Sequence, residues 1–217
     1  MCYSYRTSIF SYTLGMFSAF FAFYTKQYIM GMLILFYCQI QLSEAFIWKG
    51  IDDGNMTLNK FGTAYGKYTI PSHVFAVGLG IWILTQHKIP MVIGILFYLF
   101  ILFYFYREDM PDHTYPLDKN CVIRECQNNN NRLQWPYHPE KWYKYACILI
   151  FLFIYLYTPT TGQKVVYIGG LLLTYLLSYL FYRNNTKSIS SVWCFSSAIA
   201  APIIVFLGFI FRNKTNQ

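Results

Sequence analysis

A single glutamate lies inside a stretch of the chain that is otherwise apolar. Glu44 belongs to the segment CQIQLSEAFIW, which runs from Cys38 to Trp48. Tyr37, Gln41, Glu44 and Trp48 are spaced i, i+4, i+7 and i+11, which is the spacing of one face of an α-helix. The pattern predicts a helix whose polar face is directed at neighbouring helices or at water, and not at lipid.

An ionisable side chain within a membrane-spanning helix costs ~2.5–3.5 kcal/mol, so such residues usually have a specific role. Two interpretations of Glu44 and Gln41 remain open at this point. In the first, they form hydrogen bonds that hold helices together. In the second, Glu44 is a protonatable or cation-binding group. His73, which follows Pro71 in the segment IPSHVF, is either a packing residue or the partner of Glu44 in a proton site.

The sequence supports a metal site or a hydrolytic site less well than it supports a proton or cation site. The central loop contains two histidines and two cysteines that could supply a Cys2His2 set: His113, Cys121, Cys126 and His138. Their spacing matches no zinc pattern. Asp52 and Asp53 could join Glu44 as acid and base groups near one membrane face, or could simply be solvated. The last apolar stretch lacks the lysine that a retinal Schiff base requires. We therefore predict no metal ligands and leave the cofactor open.

The composition indicates the elements that must hold these residues. Of the 217 residues, 56% are hydrophobic, 21% aromatic and only 12% charged. Soluble domains carry about 25% charged residues, so this chain lacks the polar residues for an ordinary soluble surface. The apolar residues also occur in blocks separated by short charged segments. Both features predict an all-α, polytopic membrane protein whose partner is the lipid bilayer.

Seven apolar stretches have about the length needed to cross the hydrocarbon layer. They cover residues 8–25, 28–48, 66–86, 89–106, 143–158, 165–182 and 191–211. We expect Pro71 to kink the third or to loosen its hydrogen bonding. Residues 107–142 are too polar to span and form either a loop or a small cap. The sequence thus predicts one transmembrane domain over residues 1–217.

The positive charges predict the orientation of the chain. The formal net charge is +8, yet no basic run of five or more occurs, which argues against nucleic-acid binding. With seven spans, most of the 17 lysines and arginines fall on the side that holds the N-terminus. That side should be cytoplasmic and the C-terminus outside. Two glycosylation-like triplets on the same side, Asn55-Met-Thr57 and Asn184-Asn-Thr186, and a Cys121–Cys126 pair would favour the opposite orientation.

A second motif opens the last apolar stretch. It consists of Ser191, Trp193, Cys194 and Phe195, followed by Ser197 and several alanines that would allow close helix packing. Trp193 is expected to be an interfacial anchor.

Together, the Q-x-x-E-x-x-x-W and S-x-W-C-F motifs resemble those of a family of uncharacterised multi-pass membrane proteins of bacteria and, more divergently, large DNA viruses and protists. This chain differs from that family in its longer, Asn-rich loop between the fourth and fifth stretches. Its residue usage resembles that of an AT-rich genome, which would suit a viral protein. The resemblance implies the architecture and singles out these residues, but it implies no reaction.

Three functions are compatible with these observations. The first is a channel or transporter for a proton, cation or small polar solute through the site of Tyr37, Gln41, Glu44, Trp48 and His73. The second is a ligand-binding or sensory membrane protein with residues 107–142 as a lid. The third is a lipid-modifying enzyme that uses Glu44 with Asp52 or Asp53.

Overall fold

The computed structural model describes residues 4–107, 112–116, 133–134, 136, 139–182 and 189–213. This part of the chain is almost wholly helical. The helices are α1 (Tyr5–Tyr24), α2 (Tyr28–Asp52), α3 (Met56–Thr69), α4 (His73–Thr85), α5 (Ile89–Arg107), α6 (Pro139–Tyr157), α7 (Thr161–Tyr182) and α8 (Ile189–Asn213). Two short strands, β1 (Tyr115–Pro116) and β2 (Leu133–Gln134), pair antiparallel. The prediction of an all-α fold is confirmed for these residues.

The helices α3 and α4 are two parts of one rod of 30 residues, Met56–Thr85. A 3-10 turn at Ile70–Ser72 joins them, and Pro71 lies in it because proline has no N–H for an α-helical bond. Ser72 Oγ donates to the Thr69 carbonyl oxygen at 2.5 Å and so satisfies a backbone acceptor at the break.

Capping side chains, and not the limits of the apolar stretches, set where helices begin. Asn55 Oδ1 accepts from the Leu58 N–H at 3.1 Å, so α3 starts well before residue 66, where the apolar stretch begins. Ser4 Oγ accepts from the Thr7 N–H at 3.2 Å and starts α1 in the same way. The cap satisfies N–H groups that the helix itself leaves without a partner.

The helix α2 lies at the centre of the bundle and packs against α1, α3, α4 and α8. Glycines bring several of these backbones together. A Cβ atom at Gly80 would lie 2.6 Å from the Tyr28 carbonyl oxygen, and one at Gly62 would lie 2.8 Å from that of Ser43. Small residues allow this close approach between helices of membrane proteins, where packing replaces the hydrophobic effect as the main attraction.

The outer surface of the bundle is apolar along most of its helices. The helix α5 shows this best, because it buries only one edge against α4 and exposes large side chains elsewhere: Ile89, Leu96, Leu99, Phe100, Phe103 and Tyr106. Within the described residues, four helices are long and apolar enough to cross a membrane: α2, the Met56–Thr85 rod, α5 and Thr161–Leu180 of α7. These features are compatible with an integral membrane protein.

The bundle has two chemically different ends. We call the end with the α2–α3 turn, Asp52, Asp53 and residues 112–116 the acidic end. The opposite end holds the turns at residues 25–27, 86–88 and 158–160, together with Arg212. We call it the basic end, because no Asp or Glu occurs in residues 1–43, 54–107 or 141–217 of the sequence.

Residues 112–116 are anchored on α3 at the acidic end. Asn59 Nδ2 donates to the Thr114 carbonyl oxygen and the Thr114 N–H donates to Asn59 Oδ1, both at 2.9 Å. The hydroxyl groups of Thr63 and Thr114 lie 2.7 Å apart. Lys60 Nζ and an Asp112 oxygen add an ion pair at 2.6 Å. Part of the predicted loop or cap of residues 107–142 thus has a defined place on the bundle.

Candidate polar site in the bundle interior

The polar stripe of α2 is buried along its whole length. Tyr37 and Trp48 are 7% and 3% exposed, and Gln41 and Glu44 are wholly buried. Because α2 is surrounded by α1, α3, α4 and α8, even the face that carries polar groups is enclosed by protein. The four side chains therefore lie where polar groups need hydrogen-bond partners.

Gln41 is tied to α1 through Ser11. Ser11 Oγ donates to Gln41 Oε1 at 2.7 Å, and both side chains are wholly buried. The same hydroxyl oxygen lies 3.0 Å from the Thr7 carbonyl oxygen within α1. This bond fixes the height of α1 against α2 at the stripe.

Glu44 lies where α2 packs on α3. Its neighbour Ser43 donates from Oγ to the Gly62 carbonyl oxygen at 2.7 Å, and Gly62 lies opposite the backbone of Ser43 and Ile47. The α2 backbone next to Glu44 is thus packed closely against α3, and the Glu44 side chain itself is wholly buried.

Two contacts place Glu44 near one end of the apolar layer. Lys67 Nζ lies 5.5 Å from the ring centre of Phe105, close to the end of α5 at Arg107. Gly62, which is level with Glu44, is only about 8 Å further along α3 at 1.5 Å per residue. Glu44 therefore lies towards the acidic end of the bundle and away from the middle of α5.

His73 is wholly buried, and its partner is Tyr143. His73 Nδ1 lies 2.7 Å from Tyr143 Oη, and the imidazole packs against the Tyr37 ring at 5.0 Å between ring centres. The structure thus pairs His73 with α6, and the Glu44–His73 pair considered from the sequence is not formed.

The second sequence motif meets the first inside the bundle. The ring centre of Trp193 lies 6.1 Å from that of Tyr37 and 6.0 Å from that of Tyr143. Trp193 is only 6% exposed and donates from Nε1 to Thr174 Oγ1 at 3.0 Å. The expectation that Trp193 is an interfacial anchor is wrong, because Thr174 of α7 gives its N–H a partner within the protein.

Ser197 continues this contact towards α7, while the rest of the motif is described only by its backbone. The hydroxyl oxygens of Ser197 and Thr174 lie 3.0 Å apart. Ser191 and Cys194 lie in the first turns of α8, and their side chains are outside the described part of the structure.

The interior of the bundle between the polar stripe and the basic end is apolar and nearly filled. A cavity of about 20 Å³ lies beside Met30, Leu33, Ile34 and Cys38, and one of about 10 Å³ lies between Leu33, Tyr143 and Trp193. Each has room for about one water molecule at most. These volumes exclude an organic solute from this region in the observed conformation.

The carboxylates of the α2–α3 turn are at the surface. Asp52 and Asp53 are both exposed, and Asp53 forms an ion pair with Lys49 at 3.0 Å. Among the described residues, no three His, Cys, Asp or Glu side chains are grouped as a metal site would require. Of the four loop residues considered as zinc ligands, only His113 is described, and its Nδ1 lies 2.7 Å from Asp112 Oδ1. Cys121, Cys126 and His138 lie outside the described residues.

A polar cluster at the basic end was not predicted from the sequence. Tyr167 Oη donates to Gln27 Oε1 at 2.5 Å, and Gln27 Nε2 donates to the Val205 carbonyl oxygen at 3.1 Å. Gln163 and Arg212 complete the cluster. Gln27 and Gln163 flank apolar stretches, where glutamine is easily mistaken for a residue that faces water.

Comparison with known proteins adds no relative: no family model matches this chain, and no curated protein and no solved structure is significantly similar to it.

Proposed function

We propose that the protein is an integral membrane protein with seven spans, formed by α1, α2, the Met56–Thr85 rod, α5, α6, α7 and α8. Four of these helices are long and apolar enough to cross a membrane. The other three support the number seven by length: α1 has 20 residues, α6 has 19 and α8 has 25. At 1.5 Å per residue each is about as long as the hydrocarbon layer is thick.

The proposed activity is the passage of a proton or small cation through the Glu44 site. The observation that carries the proposal is the complete burial of Glu44 on the same helix face as the equally buried Gln41. A buried carboxylate is costly in a membrane protein, and such groups are typical of ion and proton pathways. The interior cavities of about 10 and 20 Å³ narrow the proposed cargo, since nothing larger than an ion or a water molecule fits.

In this proposal Glu44 binds and releases the ion at the acidic end. The apolar layer between Glu44 and the basic end is the closed gate. Met30, Leu33 and Ile34 separate the polar stripe from the Gln27–Tyr167 cluster at the basic end. An apolar constriction blocks ions because they cannot shed their water there. Movement of α8 against α2 would widen this layer, since the 20 Å³ cavity lies between these two helices and α7.

A ligand-binding or sensory protein is the second candidate. It is favoured by the way residues 112–116 lie on α3 at the end of the bundle nearest Glu44, as a lid would. In this case Glu44 and Gln41 would recognise a ligand that enters from the acidic end, and the lid would have to release Asn59.

The test compares Glu44→Gln with the unchanged protein in proteoliposomes. Glutamine keeps the size of the side chain and one acceptor oxygen, but it cannot carry the charge or exchange the proton. Proton flux and Na⁺ or K⁺ flux are measured across the vesicle membrane, and thermal unfolding is measured in detergent. We expect the Glu44→Gln protein to remain folded and its ion flux to fall about tenfold or more relative to the unchanged protein.

Asp53→Asn is the matched control, because Asp53 directly follows α2 at the same end of the bundle but is exposed and paired with Lys49. It should retain its flux. If the unchanged protein conducts neither ion while Glu44→Gln lowers stability, the carboxylate only holds helices together and the transport proposal is abandoned.

A further inference from the structure

A cavity of about 50 Å³ opens at the basic end of the bundle. It lies between the α1–α2 turn, the α6–α7 turn and the C-terminal part of α8. Its polar lining comes from Lys26, Gln27, Thr158, Gln163, Tyr167 and Arg212. The volume is enough for a few water molecules or one small oxyanion.

Hydrogen bonds fix the inner wall of this cavity. Gln163 Nε2 donates to Tyr167 Oη at 3.3 Å, and Tyr167 Oη donates to Gln27 Oε1 at 2.5 Å. Gln27 Nε2 then donates to Thr25 Oγ1 at 2.7 Å. The wall is therefore formed before any ligand arrives, since each of these groups is held in place by a neighbour.

One group in the lining has a donor to offer. Thr158 is only 3% exposed, and its Oγ1 has no hydrogen-bond partner, although its backbone N–H donates to the Ile154 carbonyl oxygen at 3.0 Å. A buried hydroxyl group without a partner is unfavourable, because it has lost its bonds to water. An acceptor atom within the cavity would restore that bond.

The charge around the cavity favours an anion. Lys26 is exposed at its mouth, and the Arg212 guanidinium group is held there by a bond to the Thr25 carbonyl oxygen. No Asp or Glu occurs in residues 1–43 or 141–217, so no acidic residue lies on any of the turns or helix ends that form the mouth. Cations without acidic neighbours attract anions strongly where water is partly excluded.

We propose that this cavity binds the phosphate group of an anionic ligand at the membrane surface. Thr158 Oγ1 donates a hydrogen bond to a phosphate oxygen, and Lys26 and Arg212 supply the opposing charge. The phosphate comes from a phospholipid headgroup or from solution, and the experiment distinguishes these sources. This site lies at the opposite end of the bundle from Glu44 and does not depend on the transport proposal.

The test uses the full-length protein, purified and delipidated in a neutral detergent. Thermal unfolding is followed while phosphatidylglycerol, phosphatidylcholine or inorganic phosphate is added, and the shift gives an affinity for each. We expect phosphatidylglycerol to stabilise the protein and phosphatidylcholine to have less effect. Lys26→Gln and Thr158→Val should each weaken the binding of phosphatidylglycerol about tenfold, since each removes a bond to a charged group.

Lys88→Gln is the matched control, because Lys88 is an exposed cation at the same end but does not line the cavity. It should leave the affinity unchanged. Thr158→Val separates binding from folding: without lipid it should be at least as stable as the unchanged protein, because valine replaces a hydroxyl group that has no partner.

Stabilisation by phosphatidylglycerol alone identifies the ligand as a lipid headgroup. Stabilisation by inorganic phosphate as well shows that the phosphate group itself is recognised. The proposal is overturned if neither phosphatidylglycerol nor inorganic phosphate stabilises the protein. It is also overturned if Lys88→Gln weakens the binding of phosphatidylglycerol as much as Lys26→Gln does.

Discussion

Gln41 and Glu44 lie in a part of α2 that water does not reach, so their hydrogen bonds help to decide how α1, α2 and α3 fit together. Ser11 supplies one of these bonds, at 2.7 Å from Gln41 Oε1. Between membrane helices such a bond contributes about 0.6–2 kcal/mol, which is enough to select one packing over another. The same groups would also have to loosen if an ion passes Glu44.

Ser11→Ala is expected to lower the free energy of unfolding by about 1–2 kcal/mol, because Gln41 Oε1 loses this donor in a buried place. Reversible unfolding in mixed detergent micelles measures the change. Thr13→Ala is the control: Thr13 is also on α1 and donates to the Ile9 carbonyl oxygen at 2.9 Å, but on the exposed face. Equal losses for the two variants would contradict a special role for the Ser11–Gln41 bond.

Helical spacing is sufficient to assign Tyr37, Gln41, Glu44 and Trp48 to one face, because the period is set by the backbone of α2 alone. It does not reveal Ser11, since that pairing depends on which helix lies opposite and at what height. Tyr143 as the partner of His73 is hidden for the same reason. It lies on α6, beyond the long polar segment, and no local pattern fixes how that helix returns to the bundle.

At the scale of the elements, glycine determines how closely the helices approach. Gly80 lies against the α2 backbone, and Gly78 lies against the α5 backbone, where a Cβ would be 2.5 Å from the Pro90 carbonyl oxygen. These two neighbouring glycines place α4 between α2 and α5. Backbone atoms cannot move aside as a flexible side chain can, so a larger residue at either position would force the two helices apart.

Gly80→Ala should therefore destabilise the protein by about 1–3 kcal/mol, the usual cost of overpacking. Gly169→Ala on α7 is the opposite case, since a Cβ there meets nothing within 4 Å. It should stabilise by about 0.5–1 kcal/mol, because alanine favours the helix over glycine. Unfolding of the two variants under the same conditions checks both signs. If Gly80→Ala leaves the free energy of unfolding unchanged, α2 and α4 are further apart than the structure places them.

Residues 112–116 are attached to α3 partly by charge, which makes the attachment dependent on pH. The hydrogen bond from Lys60, followed by that from His113, lowers the pKa of Asp112 from 3.8 to about 2. A carboxyl whose pKa is lowered by folding stabilises the folded state above its unfolded pKa. That contribution is lost as the pH falls through the folded value.

Hydrogen exchange of the Thr114 N–H tests this dependence, because that group donates to Asn59 Oδ1 at 2.9 Å. After correction for the intrinsic rate, protection should be constant from pH 7 to about pH 4 and should fall towards pH 2. Asn59→Ala should abolish the protection at every pH. Constant protection down to pH 2 in the unchanged protein would show that the Lys60–Asp112 ion pair does not hold the segment.

At the scale of the whole molecule, the apolar outer surface lies between the acidic end, which holds Asp52, Asp53 and Asp112, and the basic end, where the charged residues that the structure describes are all lysine or arginine. The sequence is sufficient for this division, because apolar stretches and charged turns alternate along the chain. The helix count and the charge bias together predict that the two termini lie on opposite sides of the membrane. The polar cluster of Gln27 and Tyr167 required the structure, since it joins residues 140 positions apart.

The orientation can be measured with reporter fusions to the full-length chain in bacteria. A fluorescent protein that matures only in the cytoplasm should be bright at the N-terminus and dark at the C-terminus. Alkaline phosphatase, which is active only outside, should be active at the C-terminus. Fluorescence at both ends would contradict an odd number of spans, and the reverse pattern would contradict the orientation.

The position of α8 has a consequence for how the protein is made. This last helix packs against α1 and α2, with Gln27 Nε2 bonded to the Val205 carbonyl oxygen and Gly208 against the Gln27 side chain. Among the described helices α8 is the last to be synthesised, so it joins the bundle after the helices it packs against. In the proposed membrane protein, the sides of Tyr37 and Gln27 that later meet α8 would border lipid until then. A message cut short before α8 would therefore yield a chain in which Gln27 Nε2 lacks its bond to the Val205 carbonyl oxygen.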